Sequence, residues 1–277
     1  MIGILFALSA SLSWGAGDFC GGLAARKINQ FQVLLLTTSS SLLLLVLFAV
    51  IGNENLPSAR DIILAVVAGI SGSLGLAALY KGLSLGNTAL VAPVAGVIGA
   101  IIPTLAGIAV EGLPGILTMT GFALAIVGIW LLSRPKDGSS HLAADGLGLA
   151  VLAGIGFGGF LALIAQIKGE QVFTTLVFSK IASLALAILL RRIGRQALPH
   201  PSASPVPLLS GFLDAGGNIL YLFATQNTRL DIAALLSSLY PAATVLLSSL
   251  ILKEKISPPQ WFGVSACVVA IMLITTG

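Results

Sequence analysis

The stretch GFALAIVGIWLLSRPKDGSSHLAADGLGLAVLAGIGFGGFLALI, residues 121–164, decides the fold. Two apolar runs flank RPKDGSSHLAAD (134–145), a polar segment that carries both cations and acids. A helix needs about 20 mostly apolar residues to cross the hydrocarbon core of a bilayer. Backbone in lipid must also satisfy its own hydrogen bonds. The stretch therefore reads as span, polar loop, span. Working outward, cuts at charged and Pro/Gly/Asn clusters give spans near 2–24, 31–51, 61–83, 88–110, 115–133, 146–166, 171–191, 206–227, 231–252 and 259–276. The loop divides ten spans into two sets of five: a first unit at 1–135, a cytoplasmic linker at 136–145 and a second unit at 146–277.

Composition agrees with a lipid solvent. Of 277 residues, 57% are hydrophobic and 9% charged, against about 25% charged in an ordinary soluble domain. Mean hydropathy is +1.05. The net charge of +4 comes from Lys and Arg in loops, so it does not point to nucleic acid. Cys20 and Cys267 both fall in apolar runs, which argues against a disulfide framework. The opening MIGILFALSASLSWGAGDF lacks a basic leading region and a small-x-small cleavage site. It reads as a retained first helix.

An even number of spans puts both termini on one side of the membrane. The loops opposite them hold Arg26, Lys27, Lys81, Arg134, Lys136, Arg191, Arg192, Arg195, Lys253 and Lys255. The terminal side holds Arg60, Lys168 and Arg229, and Lys180 falls inside a span. Cytoplasmic loops collect Lys and Arg, so both termini are expected on the non-cytoplasmic side of the plasma (inner) membrane.

The halves are weakly self-similar at an offset near 143: Trp14-Gly15 falls on Phe157-Gly158, and Glu111 on Glu254. Five spans per half force the two copies into opposite orientations. Inverted repeats of this kind build secondary transporters, with the substrate site near the midplane between them. The segment SLYPAATVLLSSLILKEKISPPQWFGVSACVVAIMLI (238–274) resembles the last two helices of EamA-type proteins in the drug/metabolite transporter superfamily. LSWGAGDF (12–19) is similar to the Trp-Gly motif of that family's first helix, and VAPVAGVIGAIIPTLAGIAVEG (91–112) to its fourth. The first half reads VEGLPG where the second has KEKISP. The resemblance implies an all-α protein that moves small metabolites by alternating access. It implies a cavity walled by the first, third, fourth, sixth, eighth and ninth spans.

Three ionisable residues lie well inside spans: Asp18, Lys180 and Asp214. Each costs roughly 2.5–3.5 kcal/mol on insertion scales, so each is expected to face the interior. Lys180 pairs with Asp214 or Asp18 to fix helix packing. Alternatively one Asp stays unpaired, with Asp18 favoured, and holds a coupling proton or a cationic group of the substrate. Trp14, Asp18, Gly21 and Ala25 share one helical face. Asp214, Asn218, Tyr221 and Thr225 share another, as do Ser237, Pro241, Thr244 and Ser248, with Tyr240 beside Pro241. Trp14, Asp18, Asn218, Tyr221, Tyr240 and Ser237 are the candidate substrate contacts, and Asp18, Lys180 and Asp214 the candidate charge network. Thr37-Thr38-Ser39-Ser40-Ser41 reads mainly as a structural run bonding to preceding carbonyls, with a cavity wall as the alternative. Pro93, Pro103 and Pro241 are expected to kink their spans. Gly17/Gly21 and GIGFGG (154–159) are expected to allow close helix approach.

The two histidines, His141 and His200, are in loops, and no HExxH, Ser/His pair or GxxxxGK[ST] occurs. Neither metal chemistry, a cofactor nor catalysis is expected. The expected partners are the lipid bilayer, a small-molecule substrate such as an amino acid, and protons, with the chain acting as a monomer. A passive channel or a uniporter/exchanger for a small polar solute stays open as the alternative.

Overall fold

A computed structural model describes residues 1–25, 28–84, 88–133, 144–194, 205–253 and 255–276. Arg26, Lys27, Arg134, Lys136, Arg195, His141, His200, Glu254 and most of the linker lie outside the described residues. The described chain is all-helical: α1 (Ile2–Ala25), α2 (Gln30–Ile51), α3 (Ala59–Ser84), α4 (Thr88–Glu111), α5 (Ile116–Leu132), α6 (Ala144–Ile164), α7 (Val172–Ile193), α8 (Val206–Asn227), α9 (Leu230–Ser237), α10 (Tyr240–Leu252) and α11 (Pro258–Thr276). Among the described residues, nine spans are long and apolar enough to cross a membrane, with α9 and α10 together making the one at Leu230–Leu252. α5, at 17 residues, is the tenth and shortest, at the lower limit for crossing.

The expected ninth span is broken at Ser238–Leu239. Pro241 is the cause. It has no N–H to give the carbonyl of Ser237, and its ring crowds that carbonyl. The backbone is satisfied otherwise: Ser238 N–H donates to Ala234 (3.0 Å) and Ala242 N–H to Leu239 (2.9 Å). Pro93 and Pro103, by contrast, sit in an α4 that stays continuous.

The helix packing maps onto itself when the halves are exchanged. α1 packs on α8 as α6 packs on α3; α1 meets α9 and α10 as α6 meets α4; α2 packs on α8 as α7 packs on α3. The pairs α5–α11, α2–α7 and α4–α9 join equivalent elements across the axis. Two five-span repeats related by a pseudo-two-fold give this map, and the odd count inverts one against the other. Glycines make the tightest crossings possible. A β-carbon on Gly156 of α6 would lie 2.5 Å from the Cα of Gly75 on α3, and one on Gly15 of α1 would lie 2.7 Å from the Tyr240 carbonyl.

Core and lipid surface separate cleanly. Large apolar side chains such as Leu5, Leu12, Val50, Ile51, Val110, Ile116, Leu250 and Phe262 are exposed around the outside, as a hydrocarbon solvent allows. Apart from the α5–α11 pair, many of the fully buried residues gather at the end of the bundle that carries both termini. They include Ala7 and Ala10 of α1, Leu45 of α2, Ala65 of α3, Ile164 of α6, Leu176 of α7, Ala224 of α8 and Ala233–Leu236 of α9. That end is filled. Among the described residues, the opposite end, where α1 meets α2 and α3 meets α4, holds fewer: Val33, Val91 and Ala150, beside a small buried cluster of Ala78, Ala95 and Ala153.

Candidate functional site

Between the two repeats lies a cavity of about 240 Å³. Its wall is supplied by α1 (Trp14, Asp18), α2 (Leu34, Thr37, Thr38), α3 (Gly69 to Leu79), α6 (Phe157, Phe160, Leu161), α7 (Lys180, Ser183), α8 (Asp214, Asn218) and α10 (Tyr240). On α2 and α3 these residues run toward the helix ends opposite the packed core, so the cavity begins mid-bundle and reaches toward the cation-rich connections. The first, third, sixth, eighth and ninth spans line it as expected from the resemblance. Two corrections follow. α2 and α7 are walls, and no described residue of α4 lines the cavity. The reason is the crossing pattern: α4 packs behind α6, while α2 and α7 lean on α8 and α3 around the opening.

The two mid-span aspartates are held differently. Lys180 Nζ lies 2.5 Å from Asp214 Oδ2, which also accepts from the Ser41 hydroxyl at 3.0 Å. Asn218 donates its side-chain amide to the Asp214 carbonyl at 2.6 Å and to Oδ1 at 3.2 Å. Helices α2, α7 and α8 are thereby tied at mid-membrane, and the partner of Lys180 is Asp214. Asp18 is exposed into the cavity, and no described residue donates a hydrogen bond to it. With both carboxyls ionised, Asp18, Asp214 and Lys180 leave the cavity one net negative charge.

Of the six candidate contacts, Trp14, Asp18, Asn218 and Tyr240 line the cavity. Tyr221 and Ser237 do not. Tyr221 is completely buried, its hydroxyl donates to the Leu161 carbonyl at 3.0 Å, and its ring lies 5.7 Å from that of Trp14. It stands behind the wall and braces two of its members. Ser237, equally buried, donates to the Ala7 carbonyl at 3.2 Å within the packed end. The hydroxyl run of α2 does both jobs named for it. Thr37 and Thr38 face the cavity, while Ser40 donates to the Leu208 carbonyl (3.0 Å) and Ser41 to Asp214. Ser73, Ser183, Phe157 and Phe160 were missed. Phe157 and Phe160 had one signal: Phe157 is the repeat counterpart of Trp14.

The site is unequal between repeats. Near the offset of 143, Asp214 stands where the first half has Ser71, Lys180 where it has Thr37, and Asn218 where it has Gly75. Asp18 in turn stands where the second half has Leu161.

Comparison with known proteins places the chain in context. The model of the EamA-like transporter family matches twice, over residues 1–134 and 144–276. An uncharacterised protein of Methanocaldococcus jannaschii is 30% identical over 129 residues, which is 47% of this chain and 93% of that one. That relative is therefore about the size of one repeat. A crystal structure superposes with a TM-score of 0.75 at 15% identity, covering 99% of this chain and 96% of the other, a likeness that concerns fold alone.

Proposed function

Since the chain belongs to the EamA-like transporter family of membrane proteins, both halves matching its model, we propose that it is a secondary transporter. It carries small polar metabolites by alternating access around the cavity between the repeats. The observation that carries this reading is Asp18: a carboxylate at mid-membrane, facing a cavity walled by both repeats, with no donor from the described residues. An uncompensated charge at membrane depth is expensive. Its natural complement is a proton or the cationic group of a small substrate, an amino acid's ammonium among them. A volume of about 240 Å³ falls below the roughly 300–1,000 Å³ of drug-sized sites, which favours small metabolites.

By the bias of Lys and Arg, the end toward which the cavity reaches is cytoplasmic. Substrate then loads from the cytoplasm and leaves toward the terminal side, which makes the protein an exporter of the plasma membrane. The filled core at the terminal end also argues against a continuous channel.

A thermal-shift screen of the purified protein against small amines and amino acids tests the substrate class. A ligand present at 100 times its Kd stabilises by about 2.7 kcal/mol. Hits are then followed as flux into proteoliposomes under an imposed pH gradient. Retention of full gradient-driven flux by Asp18→Asn would remove Asp18 from the coupling step. Single-channel currents would replace alternating access by a pore.

A further inference from the structure

At the terminal end, polar side chains of the first repeat reach across to cap helices of the second. Glu54, in the α2–α3 connection, accepts from the backbone N–H groups of Phe173 (3.2 Å) and Thr174 (2.7 Å) and from the Thr174 hydroxyl (2.9 Å) at the start of α7. Glu111, the last residue of α4, accepts from Leu230 N–H (2.9 Å), the first residue of α9. Acids at helix N-termini satisfy free N–H groups and meet the positive end of the helix dipole.

The α4–α9 tie is reciprocal. Arg229 donates to the carbonyls of Glu111 (3.3 Å) and Gly112 (2.6 Å), which end α4, and its Nε lies 3.8 Å from Glu111 Oε2. Asp231, whose side chain is wholly buried, holds the guanidinium at 2.7 and 3.1 Å. That hydrogen bond keeps the Arg229 pKa above its usual value, so the cation persists at every working pH. Beside the tie, α4 and α9 touch backbone to backbone: a β-carbon on Gly107 would run into the backbone N–H of Asp231. The first repeat has Gly86 and Thr88 where the second has Arg229 and Asp231.

We infer that Glu111, Arg229 and Asp231 form a clasp that latches the terminal end shut, and that its opening is a required step of the transport cycle. The inference rests on alternating access. A clasp at the terminal end biases the two-state equilibrium toward the conformation closed there. Glu54 at α7 adds a second tie at the same end. Substrate or proton binding must supply enough differential energy to release it.

Cysteine accessibility tests this in a Cys20→Ala, Cys267→Ala background. One reporter is Leu236→Cys, fully buried at the closed end, with Ala10→Cys as a second position should the first perturb folding. The other is Leu76→Cys on the cavity wall. The rate of labelling by a water-soluble maleimide is measured without substrate, in protein that stays monodisperse. With Glu111→Ala or Arg229→Ala, labelling at the closed end should rise at least about tenfold while labelling at Leu76→Cys falls. Glu111→Gln, which keeps an acceptor for Leu230 N–H, should give a smaller change of the same sign. Unchanged rates at both reporters overturn the clasp and leave transport standing. Fast labelling at both overturns the clasp together with alternating access, because it describes a through-pore or a loosened bundle.

Discussion

Two aspartates face the same cavity from facing helices, and they teach opposite lessons. Asp214 on α8 is fully engaged by Lys180, Ser41 and Asn218. Asp18 on α1 accepts from no described residue. The first is part of the frame that ties α2, α7 and α8. The second is a charge the frame leaves uncompensated. An engaged charge contributes to stability, while an unengaged one costs stability and is available to a ligand.

The sharpest way to break this contrast is Asp214→Asn. It strands the Lys180 ammonium at mid-membrane; loss of one partner of a fully buried pair costs about 3–5 kcal/mol, an upper bound for this part-buried pair. The melting temperature of purified protein should fall by roughly 10 °C. Lys180→Met in the Asp214→Asn background should recover much of that loss, since removing both charges leaves none unpaired. If the double variant melts no higher than Asp214→Asn, the pair is not the main thing Asp214 contributes.

Asp18→Asn should behave in the reverse way. Melting should change little or rise slightly, because no hydrogen bond among described residues is lost. Affinity for a cationic substrate should fall roughly 10–100-fold, the worth of a charged hydrogen bond of about 1.5–3 kcal/mol. Isothermal titration with whichever amine stabilises the native protein measures it. Equal losses of stability in the two aspartate variants would erase the distinction.

The repeats allow a third test. Gly156 on α6 meets Gly75 on α3 backbone to backbone, whereas on the equivalent α1–α8 crossing Gly217 makes room for the Trp14 ring. Gly156→Ala must push two backbones apart and should cost about 1–3 kcal/mol, as overpacking generally does. Gly22, with open space around its Cα, should accept Ala without loss. Thermal melting of the two variants side by side is sufficient.

How much was legible in advance depends on what lipid enforces. Span positions were readable to within three residues because every span obeys the same one-dimensional rule of length and apolarity. Pairings between helices were not, and so α2 and α7 were missed as walls. A hydroxyl such as Thr37 or Ser40 can satisfy itself on its own helix or on a neighbour, and sequence does not distinguish the two. The stripe Asp214, Asn218, Tyr221, Thr225 runs over twelve residues, about 16 Å of helix. The first two residues reach it, Tyr221 turns to α6, and Thr225 bonds back to Leu222 at 2.9 Å. Pro241 was legible as a disturbance, but how far it would part α9 from α10 depended on the packing around it.

The smallest effect belongs to Tyr221, and it separates wall from brace. Tyr221→Phe keeps the ring against Trp14 and deletes only the hydroxyl's bond to Leu161. Hydrogen bonds between membrane helices average about 0.6 kcal/mol. Leu161 would keep its second bonding capacity within α6, so the expected fall in melting temperature is at most about 2 °C. Substrate affinity should stay within about twofold, since the lost group touches nothing in the cavity. Tyr221→Ala is different: it removes the support behind Trp14, and the indole can then swing away from the position it shares with Asp18. Affinity should then fall while the Phe variant remains near native. If Tyr221→Phe alone lowered affinity tenfold, the hydroxyl would have to reach the substrate in another state of the cycle. Tyr221 would then belong on the wall after all.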